Sequence, residues 1–285
     1  MIKEIIDKLV ALLAVSALLA SCSESELWQN PQTEARDGYI MLNFKTEIPA
    51  MQEVVTRAVD PDGGGVQDMT LFCFDSYGLF ISTVKAGVTV QKPGPGEMEG
   101  TFKAEVPENT RTIHFLANQN MDEFKEDSFR NKSESEVMAV LEGSSGRMIY
   151  WGRFACDAGN DSNIAEQMAT SGNSVKLIRN HARISVDNPD NNGHIVITGF
   201  AVCNTNAFGT VAPHHPKKGF DFTWPSSDDP FVTLPVNDAK MSDITDVTSS
   251  MNQYVFECEN SADAPVSVIL RGHLPDQDEE KYLSL

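Results

Sequence analysis

Positive charge is scarce in this chain. It holds 22 Lys and Arg against 41 Asp and Glu, for a net charge of −19. A surface of that sign repels phosphate backbones and anionic lipid headgroups, so nucleic acid is excluded as a partner. The acidity suits a soluble exterior protein, or one that meets cations or basic partners. Reactive constellations are missing as well. No C-x-x-C spacing joins the five cysteines, which removes zinc knuckles and thioredoxin-like chemistry. There is no H-E-x-x-H and no Gly-x-Ser-x-Gly elbow, and the Gly63–Gly65 run lacks the Lys-Ser/Thr of a phosphate loop. Asp60-Pro61-Asp62-Gly63 lacks the calcium-loop register and its distal Glu. His214 and His215 are adjacent, so on an extended chain they point apart, and Lys217-Lys218 repels a cation beside them. The pairs Asp228-Asp229 and Glu279-Glu280 cannot flank a sugar ring from opposite faces. Nothing makes a positive case for an enzyme, a cofactor or a metal site.

What is present begins at the N-terminus. Leu9 to Ala20 is an apolar run of 12 residues, short of the ~20 that a spanning helix needs. It fits the apolar core of a secretory signal peptide. Small residues then lead into Cys22 through Leu19-Ala20-Ser21. This resembles the bacterial lipobox, in which the thiol takes a diacylglycerol and cleavage leaves Cys22 as the first residue. Residues 1–21 are therefore read as a lipoprotein signal peptide and 22–37 as an acidic tether, starting Ser23-Glu24-Ser25-Glu26. An acidic stretch directly after a lipidated cysteine also resembles the surface-export signal of some Gram-negative lipoproteins. The expected location is the outer membrane, facing the cell surface, with lipid as the membrane contact.

The rest reads as short strands. Ile40, Leu42 and Phe44 alternate with Met41, Asn43 and Lys45, which describes a half-buried strand. "MTLFCFDSYGLFISTV" predicts a hairpin turning at Asp75–Gly78. "VTVQKPGPGEMEGTFKAEVP" predicts strands around a Pro-Gly turn. "TRTIHFLANQN" predicts another, with His114 facing away from Ile113 and Phe115 at a surface or half-buried position. "GRMIYWGRFAC" is strand-like, and Trp151 reads as a buried aromatic beside Tyr150 and Phe154. One short helix is expected, capped by Ser133 and Glu136, with Val137, Val140 and Leu141 as its apolar face and Gly143 as its end. Residues 157–174 read as a long loop. "VKLIRNHARISV" and "HIVITGFAVCNT" read as a hairpin across Asn188–Gly193. The stretch from Phe208 to Pro230 reads as surface loop, and "QYVFECENS" and "APVSVILRGHL" as two more strands. Four cysteines remain after Cys22, an even number that could pair outside the cytoplasm, yet Cys73, Cys203 and Cys258 fall in apolar runs, where cysteine reads as a small buried hydrophobe. The predicted class is all-β, of sandwich type. Tyr282 to Leu285 makes a very short last strand, so the second domain is expected to stop short of a complete sheet.

The order of these blocks resembles the fimbrillin superfamily of type V pili, of the FimA and Mfa kind. The lipobox at Cys22, "YIMLNF", "VVTRAVD", "VQDMTLFCFDSYGLFI", "LIRNHARISV" and "PVSVILRG" carry the likeness. The resemblance implies two transthyretin-like β-sandwich domains in tandem, at 38–175 and 176–285, with the single helix in the first. It implies a structural and adhesive role, with other fimbrial subunits and a surface receptor or glycan as partners. The short last strand, where polymerising members carry their donor, is the departure that points to a minor, anchor or tip subunit. It also implies a mechanism. A protease cuts after an arginine near the N-terminus, the first strand leaves, and a strand from another subunit fills the groove. Arg57, before Ala58 and beside a loop, is the candidate cut site, and Arg36 is its rival. The alternative reading is a surface lipoprotein that binds glycans, with Trp28, Trp151 and Trp224 as candidates for sugar stacking.

Overall fold

A computed structural model describes residues 35–48, 65–93, 98–122, 124–144, 148–186, 195–214, 231–237, 252–277 and 279–284. The chain is an all-β sandwich protein, as the strand grammar predicts. Its first layer is a four-stranded sheet. β1 (Tyr39–Glu47) lies between β5 (Met98–Pro107) and β9 (Ser174–Lys176), and β4 (Gly87–Pro93) pairs with β5 on the far side. The second layer has five strands in the order β10 (Ile178–Arg179), β8 (Tyr150–Ala155), β6 (Thr112–Ala117), β2 (Met69–Phe74) and β3 (Phe80–Lys85). Between them lies the main core. Ile40, Leu42, Phe44, Phe102, Ala104 and Val106 from the first sheet meet Met69, Leu71, Ile113, Phe115 and Tyr150 from the second.

Every residue of β2 and of β6 is buried. A sheet with one wet face cannot bury successive residues, because side chains alternate. The outer face of the second sheet is therefore covered too. Phe72, Phe74, Leu116 and Trp151 pack there against Phe129, Val137, Met138 and Leu141. Phe129 closes a 3-10 turn (Glu126–Phe129), and Val137 and Met138 belong to helix α1 (Glu134–Met138). Val211, Ala212 and Val232, from much later in the chain, complete this third layer.

Local chemistry explains the shorter elements. Asp75 turns the β2–β3 hairpin, because its Oδ1 accepts from the amides of Tyr77 at 2.8 Å and Leu79 at 3.0 Å. Ser133 and Glu136 form the expected capping box on α1. The helix is shorter than its apolar pattern suggests. It ends at Met138, Val140 is exposed, and Gly143 lies in a separate strand, β7 (Glu142–Ser144). A second helix, α2 (Ile164–Thr170), stands inside the stretch read as a long loop. Asn163 and Glu166 cap each other's backbone amides there, and Ile164 and Met168 enter the main core.

The chain crosses from the first sheet to the second at Ser174–Arg179, through β9, the buried Leu177 and β10. Gly152 of β8 admits this crossing. A Cβ there would stand 2.6 Å from the Lys176 carbonyl oxygen and 2.8 Å from Leu177. From β11 (His181–Ser185) onward the pairing is different. β11 pairs with β14 (Asn252–Phe256), and β12 (Val196–Cys203) pairs with β15 (Ser267–His273), which pairs with β16 (Lys281–Ser284). The hairpin expected between β11 and β12 is not formed, since each strand takes a partner far along the chain. β13 (Phe208–Thr210), in the stretch read as loop, pairs with β7 and ties the second half to the first. The four described cysteines are free thiols. Cys73 and Cys203 are buried, and burial pushes the Cys73 thiol up to about 12. Cys258 lies two residues past β14 and is half-buried.

Candidate functional site

The first candidate is the place that β1 occupies. Ile40, Leu42 and Phe44 point into the main core, and Ile48 follows them. Phe44 is fully buried, stacked on Phe102 at 5.5 Å and edge-on to Phe115 at 5.0 Å. One edge of β1 pairs antiparallel with β5 from Tyr39 to Thr46. The other edge pairs with β9 only at Lys45–Glu47. The two ends of the strand are pinned differently. Near Glu47, Lys45 N–H donates to the Asn173 carbonyl, Leu177 N–H donates to the Glu47 carbonyl, and Ser174 Oγ–H donates to Glu47 Oε1. Near Tyr39, Arg36 donates its backbone amide and Nε to the two carboxylate oxygens of Glu105, at 2.6 and 2.8 Å, and sits 4.4 Å over the Tyr39 ring. The Arg36 backbone bond leads the effects that hold the Glu105 carboxyl below its usual range. Arg36 remains 69% exposed.

Taking β1 away would strip one edge of β5 and uncover Phe102, Ala104, Val106 and Phe115. Unpaired strand edges beside an uncovered apolar face form a groove that accepts another extended chain. Each apolar side chain placed there returns ~1.5–3 kcal/mol. A donor with four or five of them gains on the order of 10 kcal/mol before ordering costs.

The second candidate is a buried polar network on the outer face of the second sheet. Register places His114 of β6 opposite Phe72 of β2 and Arg153 of β8. Arg153 donates to Glu134 of α1 through Nε at 2.6 Å and Nη2 at 3.1 Å. His114 Nε2 lies 2.7 Å from Glu134 Oε2, and Trp151 Nε1–H donates to His114 Nδ1 at 3.1 Å. Burial pushes the Glu134 carboxyl up, but the His114 and Arg153 bonds outweigh it and hold it at about 2. Burial also pushes the His114 ring down. The surface or half-buried position expected for His114 is corrected here. The ring is fully buried, because the third layer covers the face to which alternation assigns it.

Trp151 is buried as expected, with 0% exposure and its indole N–H engaged. It has no face to offer a sugar, which removes it from the glycan-stacking set. Cys22, Trp28, Arg57 and Trp224 lie outside the described residues, as does His215. His214 Nδ1–H donates to the Val232 carbonyl at 2.6 Å. Glu280 accepts from Thr198 Oγ–H at 3.0 Å. Among the described residues, no three His, Cys, Asp or Glu side chains gather as metal ligands. The Glu134 network escaped sequence reasoning. Its available signal was the unbroken apolar run of β2, "MTLFCF", which marks a strand covered on both faces.

Fold and slot together define a layered β-sandwich protein whose main core is closed by one early strand. No protein-family description and no curated protein matches the sequence. Several solved structures are similar to it. One is the tip fimbrial protein Mfa3 of Porphyromonas gingivalis with a C-terminal truncation, at 13% identity and a TM-score of 0.49, covering 87% of this chain and 81% of that one. A candidate cell adhesion protein of Parabacteroides distasonis is similar at 16% identity and a TM-score of 0.46, covering 85% and 79%. Another, from Bacteroides eggerthii, is similar at 12% identity and a TM-score of 0.43, covering 90% and 81%.

Proposed function

We propose that this chain is a structural and adhesive component of a cell-surface type V fimbria, in a minor, anchor or tip position. It is held to the outer membrane by lipid on Cys22 and joined to neighbouring subunits by β-strand complementation in the slot that β1 fills. The observation that carries this reading is the placement of β1. It closes the main core with three apolar side chains, Ile40, Leu42 and Phe44, and Ile48 follows directly behind it. It connects to β2 only through the stretch that contains Arg57. One cut there leaves the strand held by noncovalent forces alone. A cut at Arg36, the rival site, would remove the tether and keep the strand.

Incubation with an arginine-specific protease and N-terminal sequencing test this. The expected new terminus is Ala58, and a labelled peptide spanning residues 37–50 should then exchange into the cut protein. A terminus at Asp37 alone, or none, counts against the proposal. The tether is tested separately. Cys22→Ala should abolish incorporation of labelled palmitate and release the protein from the membrane fraction. Unchanged labelling would mean that the lipid, if any, sits elsewhere.

A further inference from the structure

We propose that His114 is a proton-sensitive latch that fastens α1 and the Phe231–Val232 segment to the outer face of the second sheet. The argument starts from which atoms can donate. An indole nitrogen only donates, so His114 Nδ1 must accept from Trp151 Nε1–H and carries no proton. The ring proton is then on Nε2 and is donated to Glu134 Oε2. Both ring nitrogens are committed, and the neutral ring is the form that satisfies both bonds. A second proton can go only to Nδ1, where it would face the Trp151 N–H head-on. The Trp151 bond must break for the ring to take that charge.

The surroundings add to the conflict. Among the described residues, the ionisable groups facing His114 are Glu134 from α1, which favours a positive ring, and Arg153 from β8, which opposes it. β2 presents only Phe72 and Phe74, the latter edge-on at 5.3 Å. Phe231 closes the site from the second half of the chain, stacked on the imidazole at 5.6 Å and 12°. The nearby His214 holds the same segment, but through a donated Nδ1–H to the Val232 carbonyl and through its own carbonyl, which accepts from Phe231 N–H. Protonation leaves a donating nitrogen donating, so His214 is not a point of release. Once the latch opens, His114 meets water and takes a proton near the ordinary histidine value of about 6.5. Acid therefore favours the open state.

Hydrogen–deuterium exchange of the full chain between pH 7.5 and 5.0, corrected for intrinsic rates, reads this directly. Opening of the segments at 134–141 and 231–237 should rise together, approaching about tenfold per pH unit below about 6.5. His114→Gln keeps a donor and an acceptor but cannot take a proton, and should flatten the response. Trp151→Phe keeps an aromatic ring but removes the opposing N–H, and should weaken the response even if His114→Gln fails to fold. His181→Gln should leave it intact. A flat response in the wild-type chain overturns the proposal. So does a full response that survives in either His114→Gln or Trp151→Phe. None of these outcomes depends on strand complementation.

Discussion

Replacing Glu134 by alanine should cost the protein about 3–5 kcal/mol, measured by urea or guanidinium denaturation. Its carboxylate receives a two-pronged bond from Arg153, whose side chain is 5% exposed, and a third from His114, which is fully buried. Deleting the anion takes a two-pronged carboxylate contact from a buried guanidinium and orphans an imidazole N–H at the same time. Removing one member of a buried ion pair is far more damaging than replacing both with apolar groups. Glu134→Leu combined with Arg153→Met should therefore recover part of the loss. If Glu134→Ala is neutral, the network contributes nothing and α1 is held by Val137 and Met138 alone.

The same groups set the acid limb of stability. Burial lowers the affinity of His114 for its proton in the folded state, so its contribution is complete above about pH 6.5 and declines as the unfolded chain takes up protons below that. His181 acts in the same sense, with burial holding it at about 4. Glu134, held at about 2, contributes fully above its ordinary value of 4.5, and that contribution is lost as the pH falls toward 2. Denaturation midpoints should fall in two stages, the first below pH 6.5 and the second below pH 4.5.

Phe44→Ala is the second large effect, and it connects stability to assembly. A fully buried Phe that contacts two aromatic partners costs about 3–5 kcal/mol on truncation. That is a large share of the 5–15 kcal/mol typical of a whole domain. In the uncut chain the loss appears as lowered global stability. In a chain cut after Arg57 it appears in the grip of the slot on β1, so replacement of the strand by a competing peptide should be favoured by on the order of 10²–10⁴-fold. If Phe44→Ala destabilises the intact protein but leaves strand replacement in the cut protein unchanged, β1 is not the element that exchanges.

Much of the first sandwich was legible because its strands announce themselves locally. β1 alternates cleanly, Asp75 and Gly78 punctuate the β2–β3 hairpin, and Ser133 and Glu136 cap α1. What escaped has specific causes. α2 is only seven residues long, so its apolar period barely repeats, yet Asn163 and Glu166 offered the same capping signal as Ser133 and Glu136. The turn residues at 188–193 suggested that β11 and β12 pair with each other. Turn chemistry is local, whereas strand partners are settled by which faces bury, and β14 and β15 take those places. His114 was misplaced because alternation assigns a face but does not say whether another layer covers it. Phe129, Met138 and Phe231 cover it, and they come from three separate stretches of chain.

The long antiparallel contact between β1 and β5 also has a mechanical meaning. The two strands lie side by side through eight successive residue pairs, from Tyr39–Pro107 to Thr46–Gly100. Tension directed along such a strand loads its cross-links in shear, all at once, instead of peeling them apart singly. A strand seated in that slot would resist drag from flowing liquid far better than its modest length suggests.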